Sequence, residues 1–175
     1  MAGTRARGGR TVLTVLGLEA RRIGGVEAFA REFSAQLGER GIRSVLCFLG
    51  EPSPTVREYL SLPNVELRVF ANAMRPLGAG ADLRALLAEF RPEVLLLEFT
   101  PFLSSIPWVA RLAGVPRVYF VDQGSQPEGW VGTPAPWWKQ VVARVITWPL
   151  ARVLSISDFN LRSIRTRGLV APEKT

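Results

Sequence analysis

The chain has 175 residues, enough for one substantial core and too few for two full-size domains. Its 47% hydrophobic and 21% charged content is that of an ordinary globular protein and excludes disorder throughout. The net charge is +7, with Arg5, Arg7 and Arg10 in the first ten residues; the arginines that follow, among them Arg21, Arg31, Arg57 and Arg84, are interspersed with glutamates rather than clustered, which argues against nucleic acid as a partner and suits an anionic lipid or a phosphorylated substrate.

Two residue counts narrow the chemistry further. A single cysteine, Cys47, sits in the apolar run Val45 to Leu49 as a small buried hydrophobe, so neither a disulfide framework nor a zinc spacing is available. The sequence contains no histidine, which removes histidine triads and histidine metal sites and leaves proton transfer to Asp, Glu, Tyr, Lys or the lone Cys. No metal site and no resident cofactor is expected.

Residues 1–10 read as a disordered basic leader. The apolar run after it, Thr11 to Leu18, meets Glu19, Arg21 and Arg22 with no small-residue cleavage site, so it is a first strand and not a signal peptide. No segment reaches 18 uninterrupted apolar residues, and nothing is expected to span a membrane. The expected location is the cytoplasm, free or against the inner face of the membrane.

The strand Thr11 to Leu16 leads through a loop ending in Gly24-Gly25 into a helix whose apolar residues Val26, Phe29, Ala30, Phe33 and Leu37 recur at helical spacing. A strand, a glycine pair and a helix start can bind a phosphate: the first helical N–H groups lack intrahelical partners, the dipole places positive charge there, and glycine admits an anion close to the backbone. The pattern is neither GxGxxG nor a Walker loop, so a dinucleotide enzyme or triphosphatase is not indicated. Glu27 either pairs with Arg31 at i,i+4 or faces a cleft.

Gly41 suits the position just past that helix, and a second strand spans Ser44 to Leu49. A short helix (Thr55 to Leu60), a third strand (Val65 to Phe70), a loop (71–80) and a helix (Ala81 to Phe90) precede EVLLLEF, the most continuous apolar strand. A helix at about 103–113, a strand at 117–121, a long loop at 122–136, a helix from Trp137 to the stop at Pro149, a strand from Arg152 to Ile156 and a helix from about Asp158, with Ser157-Asp158 at its N-cap, complete the chain. The alternation predicts an open, mostly parallel α/β sheet with helices on both faces, a Rossmann-like arrangement. In such sheets ligands collect beyond the carboxyl ends of the strands, here Gly17, Glu98 to Thr100, Asp122-Gln123 and Ser157-Asp158.

The loop 122–136 is either an acceptor surface, with Gln123, Glu128 and Trp130 to hydrogen-bond and stack on a sugar, or a Gly- and Pro-rich linker. In WWKQVVARVITWPLAR, Trp137, Val141, Arg144 and Trp148 share one face. Beside Lys139 and Arg152 that face either rests at a membrane interface or packs its tryptophans on the sheet.

GGVEAFAREFSAQLGERG resembles the GGxE loop and first helix of family 4 glycosyltransferases of the GT-B fold, and RPEVLLLEF, GVPRVYFVD and ARVLSISDFNLRSI are similar to later segments of that family in the same order. The resemblance implies one half of a GT-B architecture: a Rossmann-like N-terminal domain over residues 11–170, followed at 171–175 by the start of a linker to a missing C-terminal half that holds the nucleotide-sugar. It implies a retaining transfer of a sugar from a nucleotide-sugar to a glycan, lipid-linked or small-molecule acceptor, with the chain incomplete and inactive alone. The alternative is a non-catalytic sugar-binding or partner subunit docking on a separate donor-binding chain. On this reading Gly24 and Gly25 contact the donor diphosphate, Glu27, Glu98, Thr100, Gln123, Glu128 and Trp130 serve the acceptor, and Asp122 is the candidate catalytic residue. Asp122 stands where the family usually has a histidine near the transferred sugar, a slip of one placing Gln123 there, and Glu98 aligns near a second frequent histidine. A carboxylate accepts a hydrogen bond from a sugar hydroxyl but repels donor phosphates.

Overall fold

The computed structural model describes residues 10–77, 80–124, 130 and 132–175. The first nine residues of the basic leader and Glu128 lie outside the described residues. Six strands form one sheet: β1 (Thr11–Leu16), β2 (Arg43–Phe48), β3 (Val65–Val69), β4 (Val94–Glu98), β5 (Arg117–Asp122) and β6 (Arg152–Ser155). They lie in the order β3-β2-β1-β4-β5-β6, and every neighbouring pair is parallel. The helices are α1 (Gly25–Glu39), α2 (Pro54–Tyr59), α3 (Gly80–Phe90), α4 (Ile106–Leu112), α5 (Trp137–Thr147) and α6 (Asp158–Arg167), with 3-10 turns at Ala71–Met74 and Pro172–Lys174. Among the described residues no helix is long and apolar enough to cross a membrane.

Side chains of a strand alternate between the two faces, and this period sorts the core into two layers. Leu13, Val15, Val45, Cys47, Leu95 and Leu97 pack with Leu83, Leu87, Phe90, Ile106 and Ala110 of α3 and α4. Leu16, Leu46 and Phe48, on the other face, pack with Ala30 of α1, Val56 of α2 and Leu60. β1 is buried at all six positions, as a central parallel strand covered on both sides must be.

The helix α1 sits differently from its apolar pattern. Its buried residues are Glu27, Ala30, Ser34 and Leu37, whereas Phe29 is half exposed and stacks on Phe33 with ring centroids 5.8 Å apart. Small residues on the inward stripe let the helix approach the sheet, and the buried Ser34 hydroxyl shares a 2.8 Å hydrogen bond with Ser44 of β2. Gly41 adopts φ 67° just past the helix, with Ile42 N–H donating to Leu37 O at 2.9 Å, the left-handed stop its position suggested. The 71–80 segment, expected as loop, contains the 3-10 turn and buries Ala73. The fourth helix starts at Ile106 rather than near 103, with Pro107 in its first turn, where a missing N–H costs nothing.

Cys47 is fully buried, and burial pushes its thiol up to about 12. A thiol reagent at mildly alkaline pH is therefore expected to leave the folded chain unmodified and to label Cys47 only as fast as urea opens the core. Rapid labelling without denaturant would contradict the burial of Cys47 in the core.

Candidate functional site

The strand order reverses between β1 and β4, so the crevice of the sheet opens where Gly17 follows β1 and Phe99 follows β4. There the two segments cross closely: Gly17 N–H donates to Glu98 O at 2.9 Å, and a Cβ on Gly17 would stand 2.2 Å from Phe99 O and 2.9 Å from Met74 Sδ. Phe99 itself has φ 54°, a left-handed conformation that costs a non-glycine residue ~1–3 kcal/mol. That strained turn separates Glu98 from Thr100, and both are buried.

Glu98 ends β4 with only 1% exposure, its register partners being Leu16 on one side and Val121 on the other. Burial between apolar neighbours raises its pKa to about 7, while a hydrogen bond from Gln123, Nε2 to Oε2 at 2.6 Å, pulls in the opposite direction. The pair therefore ties the end of β4 to the residue that follows β5. Asp122, half buried, is the last residue of β5; its Oδ1 accepts from Gly124 N–H at 3.2 Å.

Asp122, Gln123 and Thr100 line one cavity of about 320 Å³ with Asn160, Ser163 and Arg167 of α6, over an apolar floor that includes Phe102 and Phe120. The two rings meet edge to face with centroids 5.0 Å apart. An apolar floor with a few convergent polar groups is the usual make-up of a small-molecule site. The Thr100 hydroxyl is buried with no hydrogen-bond partner among the described residues. Asn160 is buried and bridges two segments: its N–H donates to the Ser157 hydroxyl at 3.2 Å, which makes Ser157 the N-cap of α6, and its Nδ2 donates to Gly124 O at 2.6 Å. Trp130 folds back toward α6: a Cβ on Gly132 would lie 3.0 Å from Trp130 Cη2 and 3.7 Å from Ser163 O.

Sequence reasoning missed Asn160, Ser163 and Arg167. They follow the N-cap serine at helical spacing, so the facing of α6 toward the strand ends was the signal available.

The glycine loop is a separate feature. Gly24 and Gly25 are not among the residues lining the cavity. The Glu27 carboxylate turns back on its own helix, Oε2 accepting from Gly24 N–H at 2.9 Å, and is buried there. It neither pairs with Arg31 nor projects into the cavity; Arg31 instead donates to Tyr59 O and lies 4.9 Å over the Tyr59 ring. A carboxylate at the positive end of α1 stabilises the helix and partly neutralises the field an incoming anion would meet. Gly25, by contrast, has open space around its Cβ position.

A family model described as a glycosyl transferase 4-like domain matches residues 24–175. The chain belongs to this family and forms a GT-B-type Rossmann-like domain. A search of curated proteins finds no match. Among solved structures, Phytolacca americana UGT2 complexed with UDP-2fluoro-glucose and pterostilbene is similar at 16% identity and a TM-score of 0.51, over 95% of this chain and 52% of that one. The chain thus spans about half the length of that protein, and at this identity the likeness is one of fold.

Two outcomes test the site's physics. Because Glu98 has its pKa raised in the folded state, from 4.5 to about 7, the native chain holds a proton that the unfolded chain has lost across that window, so stability should fall as pH rises from about 4.5 to about 7 and level off above. Glu98→Gln should flatten that slope in urea titrations and raise stability at alkaline pH by on the order of 2–3 kcal/mol; an unchanged slope would assign it elsewhere. Gly17→Ala should cost about 3 kcal/mol, since the clash is with backbone, and a neutral result would show that the β1–β4 crossing is looser than described.

Proposed function

We propose that this chain is the acceptor-side half of a retaining glycosyltransferase, which moves a sugar from a nucleotide-sugar to a glycan, lipid-linked or small-molecule acceptor. The observation that carries the reading is the cavity at the strand ends of a glycosyl transferase 4-like domain, where Thr100, Asp122, Gln123 and Asn160 converge over an aromatic floor. A sugar offers hydroxyl donors and acceptors and an apolar ring face, which is what these groups complement. Gln123, oriented by its bond to Glu98, and the unpartnered Thr100 hydroxyl would bind acceptor hydroxyls, and Asp122 would accept from a hydroxyl near the transferred sugar. Trp130 would border the acceptor, and Glu128, two positions earlier in the sequence, is a further acceptor candidate.

The donor would be held mainly by a second Rossmann-like half, consistent with the chain's spanning 52% of the solved relative. The first turn of α1, reached over Gly25, would contact the departing diphosphate as its charge develops, an electrostatic contribution that a retaining transfer needs more than a base. With one wall alone the reacting centre stays open to water, so the isolated domain should not turn over substrate. The alternative, a non-catalytic sugar-binding or partner subunit, is favoured by one observation: Glu27 already occupies the positive end of α1.

Calorimetry on the chain alone should detect at most weak binding of nucleoside diphosphates, and tight binding would sink the half-site account. In the protein assembled with a donor-binding half, Gly25→Val has room for its side chain, so stability should hold while turnover falls by on the order of tenfold or more, as expected for a lost charge-stabilising contact. Unchanged turnover would favour the non-catalytic reading.

A further inference from the structure

The helix α5 wears its apolar face outward. Its inner side is held by the buried Ala143 and Thr147, by Gln140 donating to Ala135 O at 2.7 Å, and by Trp108 of α4, whose Nε1 donates to Val145 O at 3.0 Å. On the opposite side Trp137 (76% exposed), Trp138, Val141, Val142, Val145 and Trp148 (69%) all face solvent. At 100° per residue these six fall within an arc of roughly 140°, with Lys139 beyond one edge and Arg144 beyond the other. Of the two placements open to this face, the packing of Trp137, Trp138 and Trp148 on the sheet is therefore not the one adopted.

Charge selects what such a face meets. Between Glu128 and Asp158 the sequence has no acidic residue, while Lys139, Arg144 and the exposed Arg152 are basic. In a symmetric pairing of two copies the same patch would face itself and set Lys139, Arg144 and Arg152 of one copy against those of the other, with only Glu173, beside Lys174 at the Trp148 end, as an acidic side chain at the border of the patch. As the β5-to-β6 crossover, α5 also runs the height of the sheet, from the carboxyl edge at Trp137 to the amino edge at Trp148, so a half closing on the strand ends alone would leave much of the arc open.

We propose that α5 is an in-plane docking helix for an anionic bilayer. The valines and the Trp rings enter the region below the headgroups, and Lys139, Arg144 and Arg152 meet lipid phosphates at the level of the interface. Lys139, 5.2 Å from the Trp138 ring, and Lys174, 5.2 Å from the Trp148 ring, hold cations beside the aromatic anchors. The inference stands apart from sugar transfer, because it uses none of the cavity residues.

The chain, with any sequence that accompanies it in the cell, is floated with extruded vesicles of phosphatidylcholine alone or with an equal share of phosphatidylglycerol. The expected result is capture by the anionic vesicles at least tenfold above the neutral ones, weakened by salt, with brominated acyl chains quenching tryptophan emission. Val141→Glu with Val145→Glu should reduce capture at least tenfold while leaving the circular dichroism and melting of the chain unchanged, since both positions are exposed. Lys139→Glu with Arg152→Glu should do the same without removing apolar area. Replacing Arg5, Arg7 and Arg10 by serine should change capture by less than about twofold. The proposal is overturned by equal capture on neutral vesicles, by capture that survives the valine substitutions or depends on the leader arginines, or by a dimer that the valine substitutions dissolve while vesicles go unbound.

Discussion

The close crossing of Gly17 over Phe99 is the constraint on which the rest of this structure depends. It lies at the one place where the strand order turns back on itself, and it brings the end of β1 against the end of β4 with no room for a Cβ between them. The strained Phe99 backbone follows from that approach, and with it the burial of Glu98 on one side and Thr100 on the other. Strain of this size persists only where the surrounding packing overrules it, here the central strands β1 and β4, whose inner residues are covered on both faces.

From that crossing the polar edge is built outward by single hydrogen bonds. Glu98 accepts from Gln123, which extends the constraint to β5, and Asn160 donates to Gly124, which extends it to α6. The cavity is thus formed by segments far apart in the chain, each tied to the next by a partly buried hydrogen bond. A carboxylate with a pKa near neutrality at its start means that the network can be charged or neutral at ordinary pH, so its strength is coupled to protonation.

The two ends of the chain's chemistry differ in how they treat anions. At α1 the glycine loop presents helical N–H groups, but Glu27 supplies an internal negative charge to them; at α5 the exposed cations have no acidic neighbour in the surrounding sequence. A helix terminus satisfied from within favours a ligand that can share or displace the carboxylate, whereas a predominantly basic rim favours an extended anionic surface.

The sequence by itself determined the alternation of strands and helices, the buried central strands, the caps at Gly41 and Ser157, and the family to which the order of segments points. These are local properties, carried by period, turn residues and capping hydroxyls within a few positions of each other. Only the tertiary structure decided which way the faces turned. The apolar pattern of α1 pointed to Phe29 and Phe33 as core, yet small residues and Glu27 face inward, because a helix packed on a sheet is limited by approach distance rather than by hydrophobicity alone. The tryptophans of α5 point outward because the inner side of the helix is taken by the small residues Ala143 and Thr147 and by Trp108 of α4, which bonds to Val145 O. The role of Gly17, the pairing of Glu98 with Gln123 and the entry of Asn160 and Arg167 into the cavity depend on contacts between segments from 25 to more than 80 residues apart, which no local pattern in the chain records.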